Sequence, residues 1–110
     1  MGWTIDKDSY TITGTRGDTG RFQFLLKFDG VPYELQEGDE VRFAVNTSDH
    51  EDELLIEKVL DGYTLTLDPS DTKDMDFGTY YYDVQITFSE SGDVLTYLEQ
   101  KKFKLTWEAD

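Results

Sequence analysis

The sequence predicts an all-β domain: an antiparallel, immunoglobulin-like β-sandwich of seven to eight strands with one short helical turn near 69–75. Three observations predict it. Apolar residues recur at every second position through most of the 110-residue chain, the period that gives a strand one apolar and one wet face. Clusters of glycine with aspartate, glutamate or serine divide these runs at short intervals, as sandwiches and barrels require. A single stretch, 68–78, abandons the alternation.

Taken in order, YTITG opens the pattern, and RFQFLLKF follows with Phe22, Phe24, Leu26 and Phe28 in phase. Val41, Phe43 and Val45 share a face in EVRFAVN, and ELLIEKV returns after the polar tip Ser48–Asp52. GYTLTLD contributes Tyr63, Leu65 and Leu67. TYYYDVQITF contributes Tyr80, Tyr82, Val84, Ile86 and Phe88, and KFKLTW contributes Phe103, Leu105 and Trp107. Asp29-Gly30 and Asp61-Gly62 are hairpin signals. Glu37-Gly38-Asp39 and Ser91-Gly92-Asp93 are loop clusters. In the irregular stretch Asp68 or Ser70 can cap a helical turn that begins at Pro69. The shared phase predicts a core of Phe22, Phe24, Phe43, Leu65, Leu67, Tyr82, Val84, Ile86, Phe103 and Leu105. In VLTYLEQ apolar residues occupy both phases, so the segment is buried on two sides or meets a partner.

Composition narrows the function. The net charge of −14, from 24 acidic against 10 basic residues, repels phosphate backbones and anionic membranes, so neither nucleic acid nor membrane is expected as a partner. The chain has no cysteine, which excludes disulfides and thiolate metal sites. Its N-terminus, MGWTIDKDSY, has neither the basic nor the apolar region of a signal peptide.

No catalytic residue is expected. The one histidine, His50, lies in the acidic tip SDHEDE, where its neighbours favour the protonated form and make it a poor base. The many carboxylates sit at tips and on wet faces, where they stay ionised. No cofactor is expected, and no metal. Asp68, Asp71, Asp74 and Asp76 crowd one segment and are the candidate ligands of a calcium site, but their spacing is not that of an EF-hand. Tyr81, which points away from the core by phase, and Leu95 and Tyr97 in the two-faced segment are the candidate interaction residues.

Arg16-Gly17-Asp18 spells the tripeptide that integrins capture. Strands on both sides make it a turn, with Gly17 supplying an unusual backbone angle and Asp18 folding back on its own turn. Arg16 is then expected to be energetically silent.

Several pieces together resemble a known family. They are Thr15-Arg16-Gly17-Asp18, Phe22-Gln23-Phe24, Leu35-Gln36-Glu37-Gly38-Asp39, Leu67-Asp68-Pro69-Ser70-Asp71-Thr72, Gly78-Thr79-Tyr80-Tyr81-Tyr82-Asp83-Val84-Gln85 and Phe103-Lys104-Leu105-Thr106. In this order they resemble the small β-sandwich proteins of tailed phages and prophages of Gram-positive bacteria, akin to the N-terminal domain of the upper baseplate protein BppU. The resemblance implies a virion structural protein of the tail or baseplate, made in the bacterial cytoplasm without a signal peptide. Its partners would be other phage structural proteins, with a homo-oligomer possible, and the family has no catalytic residues to carry over. The sequence departs from the family at Leu98–Lys102, where relatives place a glycine in the last hairpin. On this resemblance it is expected to lack the receptor-side portion of the baseplate protein. The alternative function is a carbohydrate- or calcium-binding sandwich module, suggested by the aromatic content and the acids of 68–76.

Overall fold

A computed structural model of the chain describes residues 3–47 and 54–106. The fold is all-β and sandwich-like. The strands are β1 (Trp3–Ile5), β2 (Ile12–Thr15), β3 (Gly20–Gln23), β4 (Lys27–Phe28), β5 (Val31–Pro32), β6 (Glu40–Asn46), β7 (Leu54–Val59), β8 (Thr64–Leu67), β9 (Gly78–Thr87) and β10 (Val94–Thr106), with the helical turn α1 (Pro69–Thr72) after β8. Six strands form one sheet in the order β1-β2-β10-β9-β6-β7, while β3 pairs with β8 and β4 with β5.

The alternation places the core as expected. All ten residues of the predicted core are buried, and Val41, Val45, Ile56, Leu26 and Leu98 join them. β3, β8 and the segment after β3 cover the larger sheet: the Phe24 ring lies 6.4 Å from that of Tyr82, and Trp3 meets Phe22 edge-on at 6.1 Å. Phe24 is outside any regular ladder, but its N–H donates to the Tyr63 carbonyl at 2.9 Å. That bond satisfies a backbone group that would otherwise be buried unpaired.

The architecture differs from expectation in three respects. First, there are ten strands among the described residues rather than seven or eight. β4 and β5 have two residues each and β1 three, too few for alternation to register. Conversely, VLTYLEQ and KFKLTW are not two arms of a hairpin. Up to Thr106 they are one 13-residue strand, β10, whose register against β9 shifts at Thr96/Leu98 and Leu98/Lys101. Gln100 takes the positive φ of 53° that a glycine would favour, and its N–H donates to Asp83 Oδ1 at 2.7 Å. A β-bulge therefore stands where a turn was expected. Second, the sheet is not wholly antiparallel, since β2 and β10 run parallel. They are far apart in the chain, so no hairpin dictates their relative direction. Third, Asp61-Gly62 makes a tight turn, closed by mutual Asp61 and Thr64 backbone bonds at 2.9 and 3.0 Å, but β7 and β8 then enter different sheets. Asp29-Gly30, with φ of 53° and 78°, does close the β4–β5 hairpin. His50, the rest of the acidic tip 48–53 and Trp107 lie outside the described residues.

Candidate docking surfaces

The RGD turn is fastened to the helical segment. Gly17, at φ 85°, donates its N–H to Thr72 Oγ1 at 2.9 Å, and Thr72 is fully buried. Asp18 closes the turn through its backbone: its N–H reaches the Thr15 carbonyl at 3.1 Å, and its carbonyl accepts Trp3 Nε1–H at 3.0 Å. Arg16 departs from expectation. Its guanidinium donates to the Met75 carbonyl at 3.0 Å and lies 4.2 Å from the centre of the Phe77 ring. Arg16 thus clamps the segment after α1. Arg16→Ala should cost about 1–2 kcal/mol in denaturant melts, from the lost charge-assisted bond and cation–π contact. A change within about 0.5 kcal/mol, typical of an ordinary surface position, would show that the clamp contributes nothing.

Asp39 ties a second pair of loops together. Its Oδ2 accepts the Tyr33 hydroxyl at 2.7 Å and the Gln36 N–H at 2.9 Å. Its Oδ1 accepts the Ser89 N–H at 2.8 Å and the Ser89 hydroxyl at 3.1 Å. Four donors favour the charged form, led by the Ser89 N–H, and hold the carboxyl down at about 2. The Tyr33 hydroxyl's bond to Asp39 pushes that phenol up to about 12. A carboxyl held low stabilises the fold above the ordinary carboxylate range and loses that contribution as pH falls through its own value. Asp39→Asn should therefore lower the melting temperature at neutral pH. The difference from wild type should shrink between pH 3.8 and about 2. A constant difference across that window would remove Asp39 as the cause.

The four aspartates of the irregular segment do not converge. Asp71 Oδ2 accepts the Asp68 N–H at 2.7 Å and lies 3.0 Å from Lys58 Nζ, and Asp68 Oδ2 lies 3.3 Å from the same ammonium. Asp68 is the N-cap residue. The two carboxylates together raise the Lys58 pKa, chiefly through the Asp71 bond. Asp74 is exposed, and the Asp76 carbonyl accepts the Tyr80 hydroxyl at 2.8 Å. Among the described residues no three acidic or histidine side chains gather at a point that could hold a metal ion.

The candidate interaction residues fall on two different surfaces. Tyr81 lies half-buried on the outer face of the large sheet, paired in register with Asn46 of β6 and Lys102 of β10. Beside it Arg42, Ala44, Asn46, Leu54, Asp83 and Gln85 line a shallow recess of about 220 Å³. Arg42 is held there by Glu40 at 2.7 Å and Glu57 at 2.9 Å. Leu95 and Tyr97 belong to the other side. Leu95 is 40% exposed. The Tyr97 ring packs edge-on against Phe28 at 5.8 Å, and its hydroxyl accepts the Lys27 N–H at 3.0 Å. Tyr97 also borders a groove of about 610 Å³ with Ile5, Tyr10, Phe24, Leu25 and Lys27. Sequence reasoning missed this groove. Its walls come from three segments distant in the chain, and its one local signal was the extra apolar residue Leu25 in RFQFLLKF, which is 66% exposed.

No family model, curated protein or solved structure matches the chain.

Proposed function

We propose that the protein is a non-enzymatic structural component of a phage or prophage virion, part of the tail or baseplate, acting by docking to other proteins of the particle. Two considerations support the reading. The motif residues that carry the resemblance work as scaffold: Thr72 holds the Gly17 turn and Asp39 holds the Ser89 loop. The observation that carries it is the open groove beside Tyr97, where exposed apolar side chains and lysines meet on a chain whose net charge is −14. Such a surface suits a protein partner better than nucleic acid or an anionic membrane. On this reading the protein resides in the phage particle. Mass spectrometry of particles induced from the host and purified on a density gradient should find the chain at a fixed ratio to the tail proteins. Its absence from particles that carry a complete tail would overturn the proposal.

A carbohydrate-binding role has one specific observation in its favour, the recess of Arg42, Asp83 and Gln85 beside Tyr81. Saturable glycan binding abolished by Asp83→Ala would replace docking with this reading.

A further inference from the structure

We propose that the groove beside Tyr97 receives an extended, acidic strand of a partner protein, which adds to the open edge of β10 over Val94–Leu98. The proposal deepens the docking reading and rests on it for the source of the strand.

The first observation is an unfinished sheet. β9 covers one edge of β10 along nearly its whole length, from Val94 to Leu105. On the other edge β2 pairs only with Phe103–Thr106. Before Ile12 the chain turns away: Asp6 donates to the Thr11 carbonyl and Tyr10 to the Asp6 carbonyl, each at 2.9 Å. No described strand takes the place of β2 beside Val94–Leu98. The backbone groups on that side form a template for another strand, the mode in which main-chain bonds give affinity and alternate side chains give specificity. Along this stretch Val94 and Leu95, 60% and 40% exposed, offer apolar surface on opposite faces of the strand, Leu95 on the face of Ile86. The bulge at Tyr97 limits the template to a few residues and turns the ring onto Phe28, toward the groove.

The second observation is charge. Lys7 and Lys27 line the groove, and Lys101 Nζ lies 6.0 Å from the centre of the Tyr10 ring at its border. These are three of only ten basic residues in the chain. The lining also holds one carboxylate, Asp6, kept charged by the N–H groups of Ser9 and Asp8 on its Oδ1 at 3.0 and 2.8 Å, so lysines outnumber acids there by two to one. An occupant therefore meets apolar walls with a cationic rim, which selects alternating apolar and acidic side chains. A second copy of this chain would bring its own net −14 toward the first, so a different protein is the better occupant.

The probe is a fluorescein-labelled ten-residue peptide of alternating valine and glutamate, compared with a valine–lysine peptide. Fluorescence anisotropy should saturate with the first and be weaker by roughly tenfold or more with the second. The double variant Lys7→Glu, Lys27→Glu changes two exposed side chains and should weaken binding by a similar factor while the melting temperature holds. In wild-type protein, amide hydrogen exchange within Val94–Leu98 should slow when the valine–glutamate peptide is bound. Absence of saturable binding would overturn the proposal. So would binding that leaves exchange at Val94–Leu98 unchanged, since that is adsorption without strand addition. Sedimentation showing self-association abolished by the same double variant would assign the groove to a second copy instead. If the chain is found in virions but the probe fails, docking stands and this groove is removed from it. If the probe succeeds and virions lack the chain, the groove stands and the virion does not.

Discussion

Tyr82→Ala should lower the free energy of unfolding by roughly 3–5 kcal/mol, the usual cost of deleting a large aromatic side chain from a packed interior. Tyr82 is fully buried in the middle of β9. Its ring lies 5.2 Å from that of Phe43 on the neighbouring strand and 6.4 Å from that of Phe24 in the covering layer. It thus joins the two layers, and β6 and β9 cannot close over the space it would leave without breaking their ladder. Its hydroxyl has a separate task, donating to the Tyr10 carbonyl at 2.6 Å. That carbonyl belongs to a residue held at a positive φ of 60°, so the bond fixes the turn between β1 and β2. Tyr82→Phe removes the bond and keeps the ring, and should cost only about 1 kcal/mol. Burial raises the Tyr82 phenol above its ordinary value. Its contribution to stability is accordingly complete below the unfolded tyrosine range near 10 and lost as the pH rises above it. Denaturant melts of both variants separate cavity from hydrogen bond. A Tyr82→Ala loss below about 1 kcal/mol, or equal losses for the two, would place the ring outside the core.

Gly14→Val should be the most damaging substitution at a position that bears no side chain, costing about 3 kcal/mol. The Trp3 indole lies flat against Gly14, and a Cβ there would overlap the ring. Trp3 also crosses Gly20, where a Cβ would come within 2.8 Å of Cδ1. The indole is held from the other sides by Phe22, by Phe103 at 5.4 Å and by its own bond to the Asp18 carbonyl. It is only partly buried, but leaving Gly14 would break these contacts. Residues in direct contact do not have additive effects. The double variant Trp3→Ala, Gly14→Val should therefore lose less than the sum of the two single losses, because the missing ring makes room for valine. Additive losses would mean that the two do not meet.

The candidate site was only partly legible in the sequence. Leu95 and Tyr97 stood out because VLTYLEQ carries apolar residues in both phases. The sequence does not say that Tyr97 would be turned onto Phe28 while Leu95 stayed outside, because a bulge changes facing without changing composition. The cationic rim was less legible still. Lys7, Lys27 and Lys101 are separated by 20 and 74 positions in the chain, and only folding brings them to one opening. Arg16 shows the same limit at closer range. Its place in a turn was readable from Gly17 and Asp18, but its contacts are with Met75 and Phe77, some sixty positions away.

The sequence alone is enough for the all-β class, the buried face of β3, β6, β8, β9 and the second half of β10, the Asp29-Gly30 hairpin and the helical turn at Pro69. These follow from forces acting between residues close in the chain: the two-residue period of a strand, and the dihedral limits of glycine and proline. What the sequence does not settle is that β2 lies parallel to β10, that Leu98–Lys102 is a bulge rather than a turn, and that no described strand covers Val94–Leu98 on the side of β10 away from β9. Each of these depends on which distant segments pack together. Alternation states which side of a strand is buried, but the backbone hydrogen bonds along its edges are the same for every sequence, so pairing partners are chosen by how the whole core closes.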